Sequence, residues 1–330
     1  GTVMDQATKK QLAAQACKVR MGAVEAVYNA KSGHPGGSLS IADTMTYLYF
    51  KEMNIDPKDP KKADRDRLVL SKGHAAPLLY SVLARRGYFD PALLPTLRQL
   101  GSPLQGHPHM AKLPGLDCSS GSLGQGLSIA NGLALAARRT GRTYRTYCLL
   151  GDGELQEGQV WEAAMTAAHF ALDTVCAIVD DNGVQLDGPT CEVMNVAPLA
   201  DKFRASGWQV LSVDGHSLDA LAEAFRQAAA TRGRPTVLLA RTVKGTARPP
   251  TTKSWPPPWQ SWRKEVPYEL EPDSPDSPAG RLRPGPAGPV RRPPRRGGAG
   301  RRRGRLHPHQ LGAGPVPRPL LQPGHQRAGP

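Results

Sequence analysis

Two short stretches of this sequence combine glycines with oxygen donors in a pattern that suits a phosphorylated ligand. Gly151-Asp152-Gly153 follows one apolar run, and Asp181-Asn182 follows the next, with a helix-like segment between them. A diphosphate needs close approach of the backbone, which the two glycines permit because they carry no Cβ. Its charge calls for a hard divalent cation with near-octahedral oxygen ligands. Asp152 and Asn182 can each offer a side-chain oxygen from adjacent strand ends, and the Val184 carbonyl a third. Gly-Asp-Gly alone is an ordinary turn sequence; the Asp181-Asn182 pair one helix and one strand later makes the combination specific.

Three histidines lie in other glycine-containing segments: His34 in 32–38, His74 in 70–75 and His107 in 106–108. Imidazoles in such loops suit hydroxyl contacts and proton movement near neutral pH. His169 and His216 read as structural residues, and Asp180 and Asp187 as turn residues or strand-end caps.

The elements that must position these groups follow from periodicity. Residues 9–30 place Leu12, Ala16, Val19, Ala23, Val24 and Val27 at roughly helical spacing, which predicts a helix. A glycine-rich loop over 32–38 and a helix over 40–50 come next. Further helices are predicted over 76–86, from the 121–126 turn to 139, over 160–172 and over 218–230. Strands are predicted over 67–71, 144–150, 175–179, 209–213 and 236–240. This alternation implies an α/β fold, a parallel sheet flanked by helices on both faces, with ligands beyond the carboxyl ends of the strands.

Composition confines that fold to residues 1–245. Of the 32 prolines, 20 lie from Pro249 to Pro330, and residues 246–330 hold 16 Lys/Arg against 5 Asp/Glu, +11 of the formal +15. Such a low-complexity basic tail is expected to be disordered. It lacks the interleaved aromatics of a single-strand-binding surface, so nucleic-acid binding is not expected. No run of about 18 apolar residues predicts a membrane span. The five scattered cysteines read as buried thiols in a cytoplasmic protein.

The run Gly151-Asp-Gly-Glu-Leu-Gln-Glu-Gly-Gln-Val-Trp-Glu-Ala163, followed by Asp180-Asp-Asn-Gly-Val-Gln-Leu-Asp-Gly188, closely resembles the transketolases. The likeness extends over 9–244 and includes Ser32-Gly-His-Pro-Gly36, Leu70-Ser-Lys-Gly-His-Ala75, Gly106-His-Pro108 and Gly121-Ser-Leu-Gly-Gln-Gly126. The resemblance implies the pyrophosphate-binding module of a thiamine-diphosphate enzyme using Mg2+ (or Ca2+ or Mn2+). It implies transfer of a two-carbon ketol unit from a ketose phosphate to an aldose phosphate, as in the pentose phosphate pathway.

By the same resemblance His34 and His74 line the sugar site, with His74 also against the cofactor, and His107 stands by the reactive centre. Gly121, Ser122 and Leu123 lie beside the aminopyrimidine, with Ser122 where many relatives have proline. Leu186 packs on the cofactor, and Glu157 lies at a dimer interface between two cofactors. Gly151, Asp152, Gly153 and Asn182 hold the diphosphate, with Asp152, Asn182 and Val184 on the metal.

The family also needs a pyrimidine module, whose glutamate activates the cofactor, and no such module is readable after residue 245. The resemblance therefore implies that the partner is a C-terminal transketolase subunit, in a dimer or a dimer of heterodimers. The tail also reads as an out-of-frame translation. Shifted by one base, the degenerate codons from Pro319 onward permit a string like the start of that module. Those after Trp255 permit the family's tryptophan-histidine segment. The rival readings are a cofactor-binding or interaction module inactive by itself, and a deoxyxylulose-phosphate-synthase-like enzyme. The histidine and loop signatures of the latter differ from 70–75.

Overall fold

The computed structural model describes residues 4–186 and 188–246. The readings made for Asp187 and for the tail beyond 246 lie outside the described residues. The first helix, α1 (Gln6–Ala30), starts three residues before its predicted position, because Asp5 caps it by accepting from the Thr8 amide at 2.8 Å. The predicted loop over 32–38 is shorter than expected. Pro35 opens a short helix, α2 (Pro35–Leu39), at the position where a missing N–H costs nothing. The next predicted helix appears as α3 (Ala42–Tyr47), prolonged by a wider π turn over Leu48–Glu52.

Strand β1 (Arg67–Leu70) leads through a tight 3-10 turn, Gly73–Ala75, into α4 (Ala76–Arg86). Then come α5 (Gly126–Arg139), β2 (Thr146–Gly151), α6 (Gly158–His169) and β3 (Val175–Asp181). A small hairpin, β4 (Val184–Gln185) with β5 (Gly188–Pro189), precedes α7 (Thr190–Val193) and α8 (Leu199–Ala205). The sequence pattern did not predict this insertion. The chain closes with β6 (Gln209–Asp214), α9 (Leu218–Ala230) and β7 (Thr236–Arg241).

The main sheet has five parallel strands in the order β1-β2-β3-β7-β6. Its strands are apolar on both faces because both faces are covered. Leu68, Leu70, Tyr147, Leu149, Cys176, Ile178, Leu238 and Ala240 pack with α1, α3, α4 and α9. The alternate residues Val69, Cys148, Leu150, Ala177, Val179, Val237 and Leu239 pack with α5, α6 and α8. Register then places Gly151 opposite Asp180, and Asp181 opposite Arg241, so all the strand exits open along one edge.

The five cysteines are unpaired thiols. Cys148 and Cys176 are buried as predicted, but Cys17 and Cys118 are only half-buried, and Cys191, in the unpredicted α7, is exposed. No helix among the described residues is long and apolar enough to cross a membrane.

Candidate functional site

The strand-exit edge collects most of the residues singled out by type. Asp152, directly after β2, is 4 % exposed. Its carboxylate accepts from the Gly153 amide at 2.7 Å and the Gly183 amide at 2.6 Å. Burial pushes this carboxyl above the ordinary carboxylate range against those two bonds, and Asp180 and Asp181 add to the rise. It is thus a buried acid with amide donors but no cation among its hydrogen-bond partners, an arrangement that a bound cation would relieve.

Asn182 follows β3. Its amide nitrogen donates to Asp180 at 3.1 Å, and its oxygen accepts from the Val184 amide at 3.1 Å. The side-chain oxygens of Asp152 and Asn182 and the carbonyl of Val184 therefore come from neighbouring strand exits. Among the described residues no group of three or more His, Cys, Asp or Glu is placed to hold a metal. The donor set here instead mixes carboxylate, amide and carbonyl oxygens, which fits a hard cation completed by phosphate oxygens and water.

Three groups that the sequence pattern gave no part in the chemistry hold this edge together. Asp180 is a strand-end residue as expected, but it is also fully buried, at 0 % exposure. It accepts from Lys72 Nζ at 2.5 Å, Ser40 Oγ at 2.5 Å, Asn182 Nδ2 and Thr242 Oγ1. Burial acts to raise its carboxyl, but Lys72 and the hydroxyl donors outweigh it and hold the group below its ordinary value. Lys72, 1 % exposed, also donates to the Gly37 carbonyl at 2.8 Å.

Glu154 is the third such group. It accepts from Ser71 Oγ, from the Gly124 amide at 2.8 Å and from the Gly151 amide at 3.0 Å. One buried carboxylate thus ties the exits of β1 and β2 to the 121–126 turn. These partners are far apart in the sequence, so local spacing gives no signal for them. The only local clue is that all three are charged residues within three positions of a strand's end.

The histidine loops close over this frame. A Cβ on Gly73 would lie 2.6 Å from the Gly121 nitrogen, so the two backbones touch. Gly121 itself has φ of +145°, and a Cβ there would meet His107 Cγ at 3.0 Å. His34 and His74 meet edge to face, with ring centroids 5.4 Å apart. Burial, with Lys72, His34, His107 and Lys244 nearby, depresses the His74 imidazole to about 3. His74 is therefore a neutral ring near pH 7, able to donate and accept at once. His34 and His107 are exposed on the same side.

Other predicted site residues stand at the rim. Ser122 and Glu157 are exposed, Leu123 is 39 % exposed and Leu186 is 83 % exposed. A Cβ on Gly124 would sit 2.7 Å from Glu157 Cβ, which sets Glu157 against the 121–126 turn. His169, at the end of α6, packs on Phe170 and stays apart from the edge. His216 is likewise structural, bound to Asp43 at 2.8 Å.

Comparison with known proteins gives this geometry a context. Residues 10–255 match the family model described as "Transketolase, thiamine diphosphate binding domain". A 6-deoxy-6-sulfo-D-fructose transketolase subunit from Clostridium sp. (strain MSTE9) is 46 % identical over 231 residues, covering 70 % of this chain and 84 % of that protein. An apulose-4-phosphate transketolase subunit from Phocaeicola vulgatus is 42 % identical, covering 70 % of this chain and 82 % of that one. The crystal structure of Pichia stipitis transketolase in complex with sedoheptulose-7-phosphate superposes with a TM-score of 0.69 at 37 % identity. That match covers 71 % of this chain but only 36 % of that one. The chain thus spans over four-fifths of the two subunits and little more than a third of the single-chain enzyme.

Proposed function

Because this chain belongs to the transketolase family, as its thiamine-diphosphate-binding domain, we propose that it is the cofactor-binding subunit of a two-part transketolase. The reaction is transfer of a two-carbon ketol unit from a ketose phosphate to an aldose phosphate, in cytoplasmic sugar-phosphate metabolism. The observation that carries this reading is the convergence of Asp152, Asn182 and the three histidine loops on one sheet edge, in a chain that spans over four-fifths of two transketolase subunits.

Thiamine diphosphate, when bound, supplies the carbon nucleophile and electron sink for the two-carbon unit. The chain's own residues bind, orient and relay. Asp152, Asn182 and the Val184 carbonyl would hold Mg2+, or Ca2+ or Mn2+ in its place, and Gly151 and Gly153 would admit the diphosphate to the backbone. The Asp180–Lys72 pair fixes Asn182 from behind. Gly121, Ser122 and Leu123 would lie beside the bound cofactor, and the outward side chain of Leu186 would be free to cover its apolar surface. His74, neutral and with His34 beside it, would accept from and donate to sugar hydroxyls, and His107 would stand ready to move a proton on the same side. Glu157, exposed at the rim, meets a partner in a dimer or a dimer of heterodimers. A pyrimidine-module subunit completes the site.

The test is reconstitution. The full chain is mixed with a pyrimidine-module transketolase subunit, thiamine diphosphate and Mg2+. Ketol transfer that saturates when the two chains are equimolar is the expected result. Cofactor binding without transfer from any ketose phosphate would make the chain a non-catalytic module. Turnover of pyruvate instead would move it to the deoxyxylulose-phosphate-synthase class.

A further inference from the structure

Residues 183–195, between β3 and α8, bring the Val184 carbonyl and Leu186 to the site edge with little packing of their own. Of their described residues only Thr190 is buried, while Gly183, Val184, Leu186, Pro189 and 191–195 are exposed. β4 and β5 pair through two residues each, and α7 has only four. A hairpin and a helix this short are not stable in water by themselves. The ties that fasten them to the domain therefore decide where they sit.

Two side chains supply those ties. Asp152 accepts from the Gly183 amide at 2.6 Å. Gln156 ends the 3-10 turn Gly153–Gln156 and uses both hydrogens of its amide nitrogen. One goes to Gln185 Oε1 and the other to the Met194 carbonyl at 3.0 Å. Among the described residues, no other side chain from outside 182–195 forms a hydrogen bond to this segment.

The two Gln156 bonds fall at opposite ends of the segment, one on β4 and one just past α7. Between them the Thr190 amide donates to the Gly183 carbonyl at 2.8 Å, and the Met194 amide to the Thr190 carbonyl at 3.1 Å. One side chain thus closes the whole segment against the Gly153 turn. That turn is shaped to receive it. A Cβ on Gly153 would lie 3.0 Å from Gln185 Cβ and 3.0 Å from its Oε1, so the glycine also makes room for Gln185 beside Gln156.

The segment begins at the candidate metal ligands. The Val184 amide donates to Asn182 Oδ1 at 3.1 Å, as the Gly183 amide does to Asp152. Movement of β4 would withdraw the Val184 carbonyl and, with it, the amides that orient the other two donors.

We infer that Gln156 is a positioning residue: by bridging Gln185 and Met194 it braces residues 183–195, keeps the Val184 carbonyl with Asp152 and Asn182, and so sets the concentration at which a divalent cation fills the site. This rests on the metal–diphosphate reading for its ligand, but not for the brace itself.

Two measurements separate those parts. In the full chain without ligands, amide hydrogen exchange of peptides covering 183–195 is compared among wild type, Gln156→Met and Gln185→Ala. Methionine keeps the length of the stem and removes only its donors. Protection falls about tenfold in Gln156→Met, which loses both bonds, and by less in Gln185→Ala, which loses one. In the chain assembled with a pyrimidine-module subunit, the Mg2+ concentration that half-saturates thiamine-diphosphate binding rises about tenfold in Gln156→Met. Adding Gln185→Ala to that variant shifts it no further, because both changes break the same brace.

Wild-type exchange in Gln156→Met overturns the brace, and so do single effects that multiply in the double variant. Loosened exchange with an unshifted Mg2+ requirement overturns the role toward the cation. Should Gln156→Met not fold, Gln185→Ala decides the brace by the same comparison. If wild type with its partner binds no thiamine diphosphate at any Mg2+ concentration, the functional reading has failed, and the exchange comparison still decides the brace.

Discussion

Replacing Lys72 by methionine tests the frame behind the candidate metal ligands. Methionine keeps most of the stem's volume but removes the ammonium that donates to Asp180 and to the Gly37 carbonyl. Lys72 and Asp180 are 1 % and 0 % exposed, so the carboxylate would be left without its cation in a site closed to water. Breaking a buried pair in this way costs about 3–5 kcal/mol, because the remaining charge is uncompensated. Ser40, Thr242 and Asn182 still donate to Asp180, which places the expectation toward the lower end of that range.

For a domain of this size each kcal/mol moves the midpoint by about 2–4 °C, so a drop of roughly 6–20 °C is expected in a thermal melt of the ligand-free chain. The companion variant Lys72→Met/Asp180→Asn removes both charges and should recover more than half of that loss. A drop of under 2 °C in the single variant, or a double variant whose losses simply add, would refute the claim that the pair is a coupled unit.

Asp152→Asn should leave the ligand-free chain as stable as wild type or more so, since it deletes a buried charge with no cation partner. It should also abolish the melting shift produced by thiamine diphosphate with Mg2+, about 2.7 kcal/mol at a hundredfold excess over Kd; a retained shift would remove Asp152 from the metal site. The His74 imidazole, depressed to about 3, should show no titration between pH 5 and 8 in an NMR pH series, and an inflection near the ordinary histidine value would contradict its buried, cation-flanked setting. Gly121→Ala places a methyl 3.0 Å from His107 Cγ at a φ unfavourable for alanine. It should lower kcat of the assembled enzyme by about 5- to 150-fold if a local strain of about 1–3 kcal/mol falls on the transition state, and wild-type rates would show that His107 can shift freely. Asp43 is held below its ordinary value: burial opposes this, but His216 and Arg20 outweigh it. Its stabilisation is therefore complete above the unfolded carboxylate value near 3.8 and is lost as pH falls through the lower folded value, an effect that Asp43→Asn should erase from an acid melt.

The parallel sheet and its exits were legible because the strands are short apolar runs closed by charged or glycine residues. Gly151-Asp152-Gly153 and Asp181-Asn182 mark two exits outright. Element ends were less so. The predicted helix over 160–172 stops at His169, since Ala171 takes a φ of +47° while Arg138 binds the carbonyls of Phe170 and Ala171. The glycines at 36 and 37 read as loop, yet they lie in a helix opened by Pro35; they are glycines because Lys244 and His74 occupy the space a Cβ would need. Lys72 and Glu154 stayed silent for a related reason. Their chemistry comes from partners such as Asp180 and Ser71, which only the folded sheet brings within reach.

The central claim is that this sheet edge holds a diphosphate through a metal ligated by Asp152 and Asn182. Calorimetric titration of thiamine diphosphate into the chain assembled with a pyrimidine-module subunit tests it most directly, with Mg2+ present and with the metal chelated. The account predicts saturable binding only with the metal, lost in Asn182→Leu while the fold is retained. Equal binding without metal, or in that variant, would contradict it.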